Sequence, residues 1–229
     1  MGPMKKREIA AKYDKAALEG KGEVMENSYW PTVKKVVSKI PLDSSKRVLD
    51  LGAGNGYASR YFDNSGSDVL AIDISKGMIR SAKDESSDHE IKFIIADMHN
   101  IPFVNNCIDL VFSMGVLPYA KPLDSLLSEL YRILSDRGHF YSCVNYYSEA
   151  VEFQKPAGRH GIGMELRGAN KYKSSFINAG FSNVIQKNIP NKSVEIPPKD
   201  SFPTKGWETR NDMEKTLREF GTLLTIGEI

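Results

Sequence analysis

Cysteine is scarce: the 229 residues hold two, Cys107 and Cys143. Two thiols so far apart make neither a disulfide framework nor a metal pair, which suits a reducing cytoplasm. Long apolar runs are missing too. None approaches the ~18 uncharged residues of a membrane span. The start, MGPMKKREIAAKYD, places basic residues before no apolar stretch, so no signal peptide is expected. Lys6 stands where a myristoylation signal needs Ser or Thr. The expected location is therefore cytoplasmic. Charge of one sign is also lacking overall, the formal net charge being +2. It divides unevenly, with residues 1–47 at +5, 48–150 at −6 and 151–229 at +3. The acidic middle argues against a chain-wide nucleic-acid footprint, and the basic flanks leave an anionic partner open.

What is present is enough apolar matter for a core. At 41% hydrophobic residues the chain is not disordered, and its length suits one domain spanning 1–229. Short apolar runs fall at residues 47–51, 69–72, 92–95, 110–113 and 140–144. Helical spacing lies between several of them. The clearest stripe is Leu123, Leu126, Leu127, Leu130, Ile133 and Leu134, ending before Gly138. Such alternation predicts an α/β fold with right-handed crossovers and a parallel sheet. Residues 1–46 read as a helical N-terminal cap, with Ile9, Tyr13, Ala16 and Ala17 on one face. Residues 47–150 read as the core, and 151–229 as substrate-side loops and C-terminal strands. In that last part Tyr172 and Phe176 predict a helix closed by Gly180. A further helix is expected at 211–220 and a final strand at 222–227.

The most informative stretch is Arg47-Val-Leu-Asp-Leu-Gly-Ala-Gly-Asn-Gly56. A buried strand runs into glycines at alternate positions, Gly52 and Gly54 flanking Ala53, and a helix begins near Tyr57. A dinucleotide fingerprint needs glycine at position 57, and a P-loop needs Gly-Lys-Ser/Thr, which the chain lacks. An acid two residues before the first glycine, Asp50, repels phosphate and attracts ammonium, so the loop suits a nucleoside carrying an amino acid. Asp73 ends the next apolar run, placed to accept both ribose hydroxyls beside Ile74. Asp97 ends the third and is placed to accept from an adenine amino group, with the backbone of Met98 facing the ring.

VLDLGAGNGYAS, VLAIDISKGMIRSAK, FIIADMHNIPF, CIDLVFSMGVLPY and LLSELYRILSDRGHFY occur in order. Over residues 30–185 the chain thereby resembles the class I S-adenosylmethionine-dependent methyltransferases, most closely their small-molecule branch, which includes quinone-methylating enzymes. The resemblance implies a Rossmann-like sheet of seven strands, mostly parallel, with the antiparallel last strand beside the fifth. It implies S-adenosyl-L-methionine as cofactor, its methionine part on Asp50, Gly52, Ala53 and Gly54, its ribose on Asp73 and Ile74, and its adenine on Asp97 and Met98. Ser113, at the end of strand four, completes the expected cofactor set.

Methyl transfer from a sulfonium is an in-line displacement that needs alignment and exclusion of water more than a base. The stretch Ser113-Met-Gly-Val-Leu-Pro-Tyr119 departs from the Asn/Asp-Pro-Pro-aromatic signature of amine methylation. Ser113 and Asn145 stand where metal-dependent relatives keep carboxylates, so no metal is expected. Acceptor-side candidates are Tyr13, Trp30, Tyr119 and Asn145; Tyr13, Tyr29 and Trp30 serve either as a cover over the sulfonium or as helix–helix core. Tyr119 and His160 are the candidate catalytic groups, His160 as a base among glycines. The expected acceptor is a small or lipid-like molecule. RNA, reached through the basic flanks, and a non-catalytic cofactor-binding subunit are the alternatives. The sequence leaves a homodimer or an activating partner open.

Overall fold

The computed structural model describes residues 3–145, 147–149, 163–204 and 207–229. The β-branched runs become the strands of one seven-stranded sheet, and the helical stripes cover its two faces. In chain order the elements are α1 (Pro3–Leu18), α2 (Lys21–Val37), β1 (Arg47–Leu51), α3 (Tyr57–Asn64), β2 (Asp68–Asp73), α4 (Lys76–Glu85) and β3 (Lys92–Ile95). There follow β4 (Ile108–Met114), α5 (Leu123–Ile133), β5 (Leu134–Val144), α6 (Ala169–Asn178), β6 (Ser182–Ile189), α7 (Arg210–Glu214) and β7 (Thr222–Glu228). The sheet order is β3-β2-β1-β4-β5-β7-β6. The first five strands are parallel, and β7 runs antiparallel between β5 and β6. The mostly parallel, Rossmann-like architecture with its reversed last strand is thus the observed one.

The core has two halves. On one face, α5 buries Leu123, Leu126, Leu127, Leu130 and Ile133 against Leu49, Leu51, Val111 and Phe140. On the other, Val33, Val36 and Val37 of α2 meet Val48, Val69 and Phe62. Each fully buried aliphatic side chain contributes roughly 1.5–3 kcal/mol. Cys143 belongs to this second half, where burial pushes its thiol up to about 12. It is a core residue.

Two expectations about element ends are corrected. Leu134, the last member of the helical stripe, does not close α5 but opens β5, paired with Ile108. The register then skips to Leu110 opposite His139, with Arg137 at φ 64° taking up the extra chain. The helix expected at 211–220 is α7 followed by a π-helical turn, Lys215–Phe220, in which the Gly221 amide reaches back to the Thr216 carbonyl. That winding buries Thr216 and leaves Met213 and Leu217 only half covered.

The strand order reverses between β1 and β4, and in open α/β sheets ligands bind at the carboxyl ends of strands at such a point. Here α1 lies across that edge. Its Asp14 carboxylate accepts from the Ser75 hydroxyl at 2.7 Å and from the Gly77 amide at 2.8 Å. Ser75 itself caps α4 by accepting from the Met78 amide. Caps of this kind contribute about 1 kcal/mol, so α1 is fastened to the start of α4 by the groups that start the helix.

Candidate functional site

A cavity of about 540 Å³ opens at the carboxyl ends of β1, β2 and β4, roofed by α1 and α2. Asp50, Gly52, Ala53, Gly54, Asp73, Ile74 and Met98 all line it. Two positions of the turn show why they are glycine. Gly52 has φ +71°, and a Cβ there would stand 2.4 Å from Val116 Cγ2. Gly54, at φ +57°, has nothing within 4 Å of where its Cβ would be, so the backbone faces open cavity. A ligand can therefore approach the main chain at Gly54 directly.

Both acids at this end are set up by burial. Asp50 is 3% exposed and accepts one hydrogen bond from Ser59 Oγ at 2.6 Å. Burial, opposed by Ser59 and reinforced by the nearby Asp73 charge, raises its carboxyl to about 7. It is half-neutral near pH 7 and gains its charge when a cation arrives. Asp73 is also raised by burial, against the pull of the amides that hold it. Its carboxylate accepts from Gly54 N at 3.0 Å and from Ser75 N at 2.8 Å. One side chain thus fixes both the glycine turn and the start of the loop into α4.

The third acid is placed differently from the first two. Asp97 does not line the cavity, although its neighbours Ala96 and Met98 do. Its carboxylate is engaged by Lys6 Nζ of α1 and by the amide and ring of His99. These contacts outweigh burial and hold it below the usual carboxylate range. Ser113 is likewise outside the lining: it is fully buried within the sheet between Leu51 and Ser142, its hydroxyl without a hydrogen-bond partner among the described residues.

On the acceptor side, Tyr13, Tyr119 and Asn145 line the cavity and Trp30 does not. Trp30 lies edge-on to Tyr57 and Tyr61, at 5.9 and 5.5 Å between centroids, and belongs to the helix–sheet core. It is a packing residue, whereas its neighbour Tyr29 does reach the cavity. His160 falls outside the described residues. Tyr13 donates to Tyr119 Oη at 2.9 Å. The Tyr13 hydroxyl is raised well above its ordinary value, by burial first and then by Tyr119, Tyr29 and Asp73.

Three contributions to the site have no counterpart in the sequence expectations. Asn55, 2% exposed, donates to Glu26 of α2 and to Glu85 of α4, and Arg60 joins the same two acids. That network ties the roof to the glycine turn. Arg167, 6% exposed, donates to the Leu117 and Ala120 carbonyls on either side of Tyr119. Lys12 of α1 stands 3.1 Å from Tyr119 Oη. Arg167, which also pairs with Glu165 at 3.0 Å, and a single lysine on α1 carry no spacing signal in the sequence.

A nucleoside with a cationic amino-acid tail fits these residues. The open backbone at Gly54 admits it, and the half-neutral buried Asp50 has no counter-ion among the described residues. Among the described residues no group of three His, Cys, Asp or Glu side chains is arranged to hold a metal.

Comparison with known proteins agrees with this geometry. The family model described as a methyltransferase domain matches residues 49–142. A chain of the complex between the Haloferax volcanii Trm112 methyltransferase activator and a methyltransferase superposes with a TM-score of 0.85. It is 34% identical, over 94% of this chain and 96% of that one. The malonyl-[acyl-carrier protein] O-methyltransferase of Enterobacter lignolyticus is 31% identical over 141 residues, 60% of this chain and 53% of that protein. The demethylmenaquinone methyltransferase of Paenarthrobacter aurescens is 35% identical over 104 residues, 45% of this chain and 40% of that protein. The match thus spans about half, or less, of these curated relatives. With a solved relative matched over nearly its whole length, and the glycine turn and strand-end acids in place, the chain belongs to the class I S-adenosylmethionine-dependent methyltransferases.

Proposed function

We propose that the chain transfers a methyl group from S-adenosyl-L-methionine to a small or lipid-like acceptor. The observation that carries the proposal is one continuous cavity. The glycine turn with Asp50 and Asp73 and the aromatic pair Tyr13 and Tyr119 line the same space. The sulfonium of the cofactor supplies an activated methyl group. This chain's residues bind and align: Asp50 faces the ammonium, Asp73 the ribose hydroxyls, and Ala96 and Met98 the adenine. Asp97 shapes that rim through its bonds to Lys6 and His99. Tyr13, Tyr29 and Tyr119 shut out water above the reacting centre; such positioning supplies up to ~7–11 kcal/mol of a barrier. The malonyl and menaquinone methyltransferases among the relatives support a small or carrier-bound acceptor over RNA.

Cofactor affinity should depend on pH through Asp50. Its carboxyl, raised to about 7, must give up a proton to pair with a bound ammonium. Binding therefore tightens as pH rises from 6 to 8 and releases a proton in the lower part of that range. Calorimetric titrations at pH 6.5 in two buffers of different ionisation enthalpy measure the release. Equal heats in both buffers would remove Asp50 from this role. The same shift acts on folding with the opposite sense: the folded state holds the Asp50 proton above pH 4, so stability falls as pH rises from ~4 through ~7.

A second protein is part of the proposal, supported by the Haloferax volcanii relative that is complexed with an activator. Co-expressed with a Trm112-type activator, the chain should co-elute with it at a larger size than alone. Two separate peaks would count against the assembly.

A further inference from the structure

Charge of both signs lines the cavity: the carboxylates of Asp50 and Asp73, and beside Tyr119 the ammonium of Lys12. Among the described residues the polar partner of this ammonium is the Tyr119 hydroxyl at 3.1 Å, not a carboxylate. Its Nζ sits over two rings, 5.2 Å from the Tyr13 centroid and 5.4 Å from that of Tyr119. The aromatic contacts and the hydroxyl hold it in place without neutralising it.

Hydrogen-bond bookkeeping gives the cluster a direction. A phenol oxygen has two lone pairs and one O–H. Tyr119 Oη accepts from Lys12 and from Tyr13, which fills both lone pairs. Its own O–H is then left to donate, as are the two remaining N–H groups of Lys12. The cluster thus presents three donors and a positive charge, and the acceptor capacity left in it is that of Tyr13 Oη, whose own proton is spent on Tyr119. The Tyr119 turn is fixed from behind by Arg167, so the donors are preorganised. One fixed cation with one hydroxyl matches a monoanion with two oxygens.

Resting on the functional reading above, we infer that the methyl acceptor carries a carboxylate, held by Lys12 and the Tyr119 hydroxyl beside the reacting centre. Lys12 is thereby a specificity-determining residue. Met25, Met114 and Met164, which line the same cavity, receive the apolar part of that molecule.

The test uses the full chain loaded with S-adenosylhomocysteine. Sodium octanoate and octanamide, equal in shape and differing in charge, are titrated in and followed by ligand-observed NMR. Octanoate is expected to bind at least about tenfold tighter, the usual scale of a charge-assisted hydrogen bond. Lys12→Met should abolish that preference and Lys12→Arg should retain most of it. Both variants should bind S-adenosylhomocysteine within about twofold of wild type. Equal binding of the two probes by wild type overturns the inference without needing any variant. If Lys12→Met instead loses S-adenosylhomocysteine, the lysine serves the cofactor's own carboxylate and the inference is overturned. Failure of wild type to bind S-adenosylhomocysteine overturns the functional reading itself. Retained nucleoside binding with no octanoate preference overturns this inference alone.

Discussion

Asp73→Ala is expected to lower affinity for S-adenosylhomocysteine by at least about 100-fold while leaving the fold in place. Two charge-assisted hydrogen bonds to ribose hydroxyls contribute roughly 1.5–3 kcal/mol each in a site screened from water. At about 1.4 kcal/mol per factor of ten, losing both amounts to two orders of magnitude or more. Stability changes much less, because the bonds lost within the protein are those from Gly54 N and Ser75 N. These cost about 1 kcal/mol each, or roughly 2–4 °C per kcal/mol in a chain of this length. Asp73→Asn separates the two roles. Its amide oxygen still accepts from one backbone amide, so the glycine turn is kept while the charge on the ribose is lost. Calorimetry on the three proteins, beside thermal melts, gives both numbers. An Asp73→Ala affinity within twofold of wild type would take the ribose away from this residue.

Gly52→Ala should be the most damaging single-methyl change in the site. The residue sits at φ +71°, where a side chain costs roughly 1–2 kcal/mol. Its new methyl would meet Val116 Cγ2 at 2.4 Å, which forces a shift worth about 1–3 kcal/mol more. The expected result is a lower melting temperature together with loss of cofactor binding, because the displaced turn takes Gly54 with it. Adding Val116→Ala removes the collision but not the backbone strain. The double variant should recover part of the stability, whereas full recovery would mean that φ at position 52 is unconstrained. Unchanged stability in Gly52→Ala alone would contradict the geometry of the turn.

The parts legible in the sequence are those in which one local signal decides the outcome. Apolar runs of strand length placed β1 to β4, and the acids ending β1 and β2 faced the cavity because strand ends in a parallel sheet share one rim. Where the outcome depends on a distant partner, the sequence falls short. The spacing that located Asp97 contains nothing of Lys6, 91 residues upstream, which claims its carboxylate. The sequence offers Tyr29 and Trp30 alike as cover or core, and nothing local to them says that Tyr57 and Tyr61 take up the indole while Tyr29 reaches the cavity. Ser113 lies one residue short of the end of β4, and strand alternation turns it into the sheet interior. The end of α5 was misplaced by one residue since a leucine satisfies a helical stripe and a strand equally well.

The central claim is that one nucleoside bearing a cation lies along the carboxyl ends of β1, β2 and β3, held at Asp50 and Asp73 beneath α1. A crystal structure with S-adenosylhomocysteine tests it most directly. The ribose hydroxyls are expected within hydrogen-bond distance of Asp73, the ammonium directed toward Asp50, and the sulfur opening toward Tyr119. A nucleoside bound elsewhere, or lying reversed with its amino-acid end at Met98, would contradict it.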